Sequence, residues 1–134
     1  MSTAGGTVRT SSGMTIADTL APAEVGALDT LMVAGAEHLA ADPIDAGLLD
    51  TIGMLAEGSG RVASVCTGAF ALAELGFLDG RRATTHWRHA DRLARRYPKI
   101  NVEPDIVHIR DGRYLTLPEL ECIDPILKLT GVDQ

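Results

Sequence analysis

Apolar and polar positions fall into blocks along this chain, and the period of the blocks changes. Leu28–Ala34 (LDTLMVA) is a largely apolar run that stops at Gly35. It is short and apolar on both faces, which predicts a buried strand, parallel to its neighbours. Ile44, Leu48, Ile52 and Leu55 then recur at steps of four and three, one face of a helix. Asp42 predicts the N-cap of that helix with Pro43 at its first position, and Gly58 and Gly60 end it. Arg61–Val65 returns to strand character. Thr67–Leu75 is nearly all apolar, a short helix buried on most sides and closed by Gly76. Trp87–Tyr97 predicts an amphipathic helix with Trp87, Ala90, Leu93, Ala94 and Tyr97 inward and Arg88, Arg92, Arg95 and Arg96 outward, stopped by Pro98.

Shorter signals fill the rest. Residues 1–13 read as a loop and Met14–Ala17 as a short strand. Asp18–Gly26 is a connection with a weak helical turn, and Phe77–Arg82 is a turn around Asp79-Gly80. Arg82–Thr85, Asn101–Glu103, Ile106–Arg110 and Arg113–Thr116 predict strands, the last two joined at Asp111-Gly112. Leu120–Leu129 predicts a final helix interrupted by Pro125. Strand and helix in alternation, with buried strands, predict one α/β domain with a mostly parallel sheet.

Bulk properties narrow the classes. The 134 residues suit a single domain. No apolar run approaches the ~18 residues of a membrane span, and the polar start has no signal-peptide core; cytoplasm is the expected location. A net charge of −6 argues against direct nucleic-acid binding. Seven of the twelve basic residues lie between Arg81 and Lys99, but no aromatic platform accompanies them; they read as a solvated helix face. Cys66 and Cys122 make no disulfide framework. No histidine pair has metal-ligand spacing, and no cofactor is expected.

Candidate chemistry centres on RVASVCTGAF, Arg61 to Phe70. A strand ending in a nucleophile-type residue, followed at once by a helix, has the logic of a nucleophile elbow. Cys66 would stand at the C-terminal edge of the sheet, where ligands of parallel α/β folds gather. Thr67 offers a backbone N–H and a hydroxyl. Gly35 and Ala36, at the end of the other buried strand, would meet the same spot. His86 invites a pairing with Cys66, while a histidine bonded to backbone beside a buried Trp87 is the plainer reading. His89 reads as solvated, and Cys122 as core or incidental.

RVASVCTGAFALAELGFLDGRRATTHW, from Arg61 to Trp87, resembles the class I glutamine-amidotransferase-like (DJ-1/PfpI) domain, in the version carried by AraC/GlxA-type transcriptional regulators. VRTSSG (Val8–Gly13) and LDTLMVAG (Leu28–Gly35) are similar to two further blocks of that family, in the same order. The resemblance implies a flavodoxin-like three-layer α/β/α sandwich, a small-molecule-sensing and dimerising role, and Cys66 at the elbow. Related stand-alone enzymes, isocyanide hydratases, use such a cysteine as nucleophile.

The departures also carry weight. The family places a strand, a helix and a second strand before the VRTSSG block, including the acid that pairs with the elbow cysteine; this sequence has little there. The family's VPGG turn stands as Val33-Ala34-Gly35-Ala36, and LPELECID replaces SAGVTAGID. No helix-turn-helix follows, so the whole chain reads as one partial domain. Three readings stay open: a regulator's sensor domain without its DNA-binding part, forming a homo-oligomer around a small-molecule ligand at Gly35, Ala36, Cys66, Thr67 and His86; a cysteine-dependent hydratase or hydrolase; and a non-functional gene fragment.

Overall fold

The computed structural model describes residues 1–10, 13–41 and 43–119. The chain opens with an antiparallel hairpin of β1 (Gly6–Arg9) and β2 (Thr15–Thr19), then a 3-10 turn at Pro22–Glu24. Next come β3 (Leu28–Val33), the short α1 (Glu37–Ala41), α2 (Ala46–Glu57), β4 (Ser59–Val65) and α3 (Gly68–Glu74). The two-residue β5 (Arg82–Ala83) leads through a 3-10 turn at Trp87–His89 into α4 (Ala90–Arg96). β6 (Asn101–Val102), β7 (Ile109–Asp111) and β8 (Tyr114–Leu117) complete the described elements.

The main sheet has the order β3-β4-β8-β7, with β3, β4 and β8 parallel and β7 antiparallel at one edge. β5 and β6 form a separate parallel pair. Register places Leu31, Val33 and Val62 on one face of the main sheet, where they join the core cluster. Phe70, Leu72, Leu78 and Leu93 are its largest fully buried side chains. Ala63, Leu115 and Leu117 form a smaller cluster on the opposite face. Among the described residues, no helix is long and apolar enough to cross a membrane.

Two devices brace the sheet. The Arg113 guanidinium donates to the carbonyls of Ala56 in the last turn of α2 (2.8 Å) and of Ser59 at the start of β4 (3.0 Å), tying the two elements together. The β7–β8 hairpin pairs Asp111 with Tyr114, so its central residues are Gly112 and Arg113 rather than Asp111 and Gly112. Only Gly112 has a positive φ, the signature of a type II′ turn.

Several expectations shift. The first thirteen residues hold a strand, in which Val8 and Arg9 pair with the β-branched Ile16 and Thr15. α1 intervenes after β3. The N-cap of α2 is Asp45, whose carboxylate accepts from the Leu48 N–H at 2.9 Å; Asp42 lies outside the described residues. The strand expected over 106–110 begins only at Ile109, after Asp105 turns to φ 58. The helix expected from Trp87 starts at Ala90, behind the 3-10 turn. That change of winding moves Trp87 outward, to 60% exposure, and leaves Ala94 exposed too. Leu120–Leu129 and Cys122 lie outside the described residues.

α3 is seated directly on the end of β3. A Cβ at Gly68 would stand 2.3 Å from the Val33 carbonyl oxygen. Gly68→Ala is therefore expected to cost about 1–3 kcal/mol, the usual range for overpacking. Urea denaturation should show a lower midpoint at an unchanged m-value.

Candidate functional site

The link between β4 and α3 is strained. Cys66 has φ 56, in the left-handed region that side chains other than those of Gly and Asn seldom adopt. Such a residue persists only where its surroundings over-determine it, and here they do. The Cys66 N–H donates to the Leu117 carbonyl at 2.9 Å, and its carbonyl accepts from the Thr85 hydroxyl at 2.8 Å. Thr85 is buried, as is Thr84, whose N–H donates to Thr116 Oγ1 at 2.9 Å. The TTHW block thus serves first as a strap that ties the elbow to β8.

β3 meets the elbow through Gly35. A Cβ there would lie 2.9 Å from Cys66 Cβ, from Thr67 N and from Thr67 Oγ1. The loss of one glycine from the expected turn falls on Ala36, where Thr67 answers it. The Thr67 hydroxyl donates to the Ala36 carbonyl (2.8 Å) and accepts from the Ala36 N–H (2.9 Å). That side chain is 98% shielded, and its hydroxyl is committed to the backbone rather than turned to a ligand.

These segments enclose one side of an open cavity of about 650 Å³, within the size range of small-molecule sites. Gly35, Ala36, Cys66, Thr67 and His86 all line it. His86 Nδ1 accepts from the Arg88 N–H at 3.2 Å, so the neutral ring carries its proton on Nε2. Nε2 lies 3.9 Å from a Glu119 carboxylate oxygen. His86 is both a backbone-bonded histidine and a cavity wall, and it stacks on Trp87 at 5.5 Å.

Sequence reasoning missed the charged part of the wall. Glu37, Arg88, His89 and Glu119 border the cavity as well, and bring both signs of charge. His89 is half-buried, edge-on to Phe70 at 6.4 Å and tilted against His86 at 5.9 Å. The expected continuous helix put His89 on the solvated side; the 3-10 turn rotates it inward. A His-x-x-His spacing, His86 to His89, was the available signal, since three residues make one 3-10 turn. Among the described residues no group of three or more His, Cys, Asp or Glu side chains is placed to hold a metal ion.

Burial holds the His89 pKa below the ordinary histidine value, with the neighbouring His86, Arg92 and Arg88 adding to the effect and Glu37 opposing it. As pH falls through about 6.5, the unfolded chain takes up this proton before the folded one does. Stability contributed by neutral His89 is thus present above that pH and lost below it. His89→Gln is expected to flatten the fall in Tm on acidification from about pH 7 to about pH 5. Thermal melts across that range check this, and a slope equal to that of the parent chain contradicts it.

Comparison with known proteins agrees with this architecture. A family described as the DJ-1/PfpI family matches residues 1–117. An uncharacterized protein in the cpoL 5' region of Streptomyces lividans is 54% identical over 95 residues, 70% of this chain and 67% of that protein. The HTH-type transcriptional regulator CdhR of Pseudomonas aeruginosa is 34% identical over 131 residues, 96% of this chain and 38% of its own length. The isonitrile hydratase of Pseudomonas putida is 35% identical over 111 residues, 81% of this chain and 46% of its own. The chain thus spans less than half the length of the latter two. Among solved structures, a ThiJ/PfpI family protein from Pseudomonas syringae superposes with TM-score 0.75 at 20% identity, over 99% of this chain and 62% of that one. An AraC family transcriptional regulator from Pseudomonas putida does so with TM-score 0.74 at 23% identity, over 94% of this chain and 68% of that one. These likenesses show the flavodoxin-like α/β fold, and the family match covers most of the chain: it belongs to the DJ-1/PfpI family.

Proposed function

We propose that the chain is the small-molecule-sensing and dimerising domain of an AraC/GlxA-type regulator, with no DNA contact of its own. The observation that carries this reading is the composition of the cavity wall. Arg88 offers a forked cation, Glu37 and Glu119 offer carboxylates, and His86 Nε2 offers a neutral donor, around a floor made by Gly35, Ala36 and Cys66. Such a wall suits a small polar ligand that carries both an anionic and a cationic group, because each charge finds its opposite. Cys66 then acts as cavity floor. The regulators among the relatives support the reading, since they share this domain.

A second reading rests on the strained backbone of Cys66 and on the isonitrile hydratase among the relatives. Strain of this kind belongs to nucleophile elbows. In that reaction the Cys66 sulfur would add to the isonitrile carbon, which takes up a proton to give a thioimidate; water would then add to the same carbon, and cleavage of the C–S bond would release the N-substituted formamide and return the thiol.

Thermal shift measured against amino acids, betaines and amines separates the two. A ligand at a hundred times its Kd adds about 2.7 kcal/mol, a rise in Tm of roughly 10 °C for a domain of this size. Arg88→Ala should abolish it. No rise with any compound in the panel overturns the sensor reading. Infrared loss of the isonitrile band, absent in Cys66→Ala, would establish the hydratase instead.

A further inference from the structure

Positive charge gathers on and beside α4. Arg88 precedes the helix, Arg92, Arg95 and Arg96 stand on it, and Lys99 follows its end. All five are exposed. Steps of three and four bring Arg92, Arg95 and Arg96 to one side, away from the buried Ala90 and Leu93. Among the described residues none of the five makes an ion pair. Asp91 is the one acid on α4, and Glu74, on α3, is committed to the Tyr97 hydroxyl. Like charges at these spacings repel, although the chain has 18 acidic residues against 12 basic ones. The helix dipole favours Arg95 and Arg96 in the last turn but disfavours Arg88 and Arg92 near the start. Arg92 donates to the Ala40 carbonyl at 3.0 Å, which holds its side chain and leaves its charge without a counter-ion.

Trp87 changes what this charge means. With its ring inward, as the sequence predicts, the basic residues are a solvated face and nothing more. The ring instead lies outward, 60% exposed, with the Arg88 guanidinium 5.3 Å from its centroid. An exposed tryptophan among arginines is the composition of an interface, where these two residue types carry much of the binding energy. The stack of His86 on Trp87 holds the ring before any partner arrives, so docking loses little side-chain freedom there.

We infer that Trp87, Arg92, Arg95, Arg96 and Lys99 form a docking surface for an acidic helical segment of another protein. The seven residues of α4 span about 10 Å, roughly two turns. Carboxylates at every third or fourth position of a facing helix cover that length. Each can meet a guanidinium fork, which takes a carboxylate through two parallel hydrogen bonds. An apolar side chain next to them covers the Trp87 ring. Docking also relieves the repulsion among the arginines. A nucleic acid fits less well. The chain carries a net charge of −6 and repels a long polyanion, and one ring makes no platform for successive bases. The five residues lie outside the cavity wall, so this inference does not depend on what the cavity binds.

Trp87 is the only tryptophan in the chain, so its fluorescence reports this surface directly. The probe is a short helical peptide with glutamates at that spacing and one leucine beside them. Titration at about 0.15 M ionic strength is expected to shift the Trp87 emission and to saturate in the micromolar range. The same peptide with glutamine for each glutamate should leave the emission unchanged. Arg95→Gln combined with Arg96→Gln removes two exposed ion pairs and should weaken binding about tenfold, with unchanged far-UV circular dichroism. Arg95→Lys combined with Arg96→Lys should recover part of the loss. Trp87→Ala, followed by the anisotropy of a dye on the peptide, should also bind more weakly. That variant keeps the test open if the arginine variants fold poorly. An emission unmoved by the acidic peptide, equal binding of the glutamine peptide, or undiminished binding by the folded variants overturns the proposal. So does tighter binding of single-stranded or duplex DNA than of the peptide.

Discussion

Everything in this molecule depends on backbone meeting backbone where β3 ends and α3 begins. Gly35 and Gly68 leave no room for a side chain between Val33, Cys66 and Thr67. That approach lets Thr67 grip both backbone groups of Ala36, and it sets the floor of the cavity. The left-handed conformation of Cys66 is held from the other side by Leu117 and Thr85. Four segments distant in sequence therefore converge on a few atoms, and none of them could be moved without releasing the others. This is how a fold stores local strain at a useful place and offsets it with packing elsewhere.

The parts of the fold readable in the sequence are those governed by local rules. β3, β4 and α3 are legible because short apolar runs bounded by glycine leave few alternatives. The helical stripe of Ile44, Leu48, Ile52 and Leu55 placed α2, though not its cap: Asp42 and Asp45 both suit an N-cap chemically, and only the three-dimensional path, with α1 interposed, selects Asp45. Trp87 shows the opposite limit. An aromatic at a helical spacing reads as core, yet one 3-10 turn changes the rotation per residue and turns the ring outward, with His89 inward in its place. The elbow was visible from its own residues. The charged wall of Glu37, Arg88 and Glu119 was not, because it comes from three elements that local patterning cannot bring together.

The site is electrostatically mixed rather than tuned to one sign. Two carboxylates, a guanidinium and two imidazoles share an open cavity, and solvent access keeps each interaction modest. Selectivity in such a place comes from the spacing of charges more than from their strength. The same chemistry explains why a cysteine here need not be a nucleophile: it is one small side chain in a wall whose polar groups stand around it.

Met32 lines the charged cavity on one side and a groove beside α2 on the other. Its thioether is flexible and unbranched, and it can fill either space. Whatever restricts its rotamers on one side changes the free energy of filling the other, and thermodynamic linkage makes that influence equal in both directions. A single half-exposed methionine thus joins two surfaces into one equilibrium, with no moving domain and no hinge required.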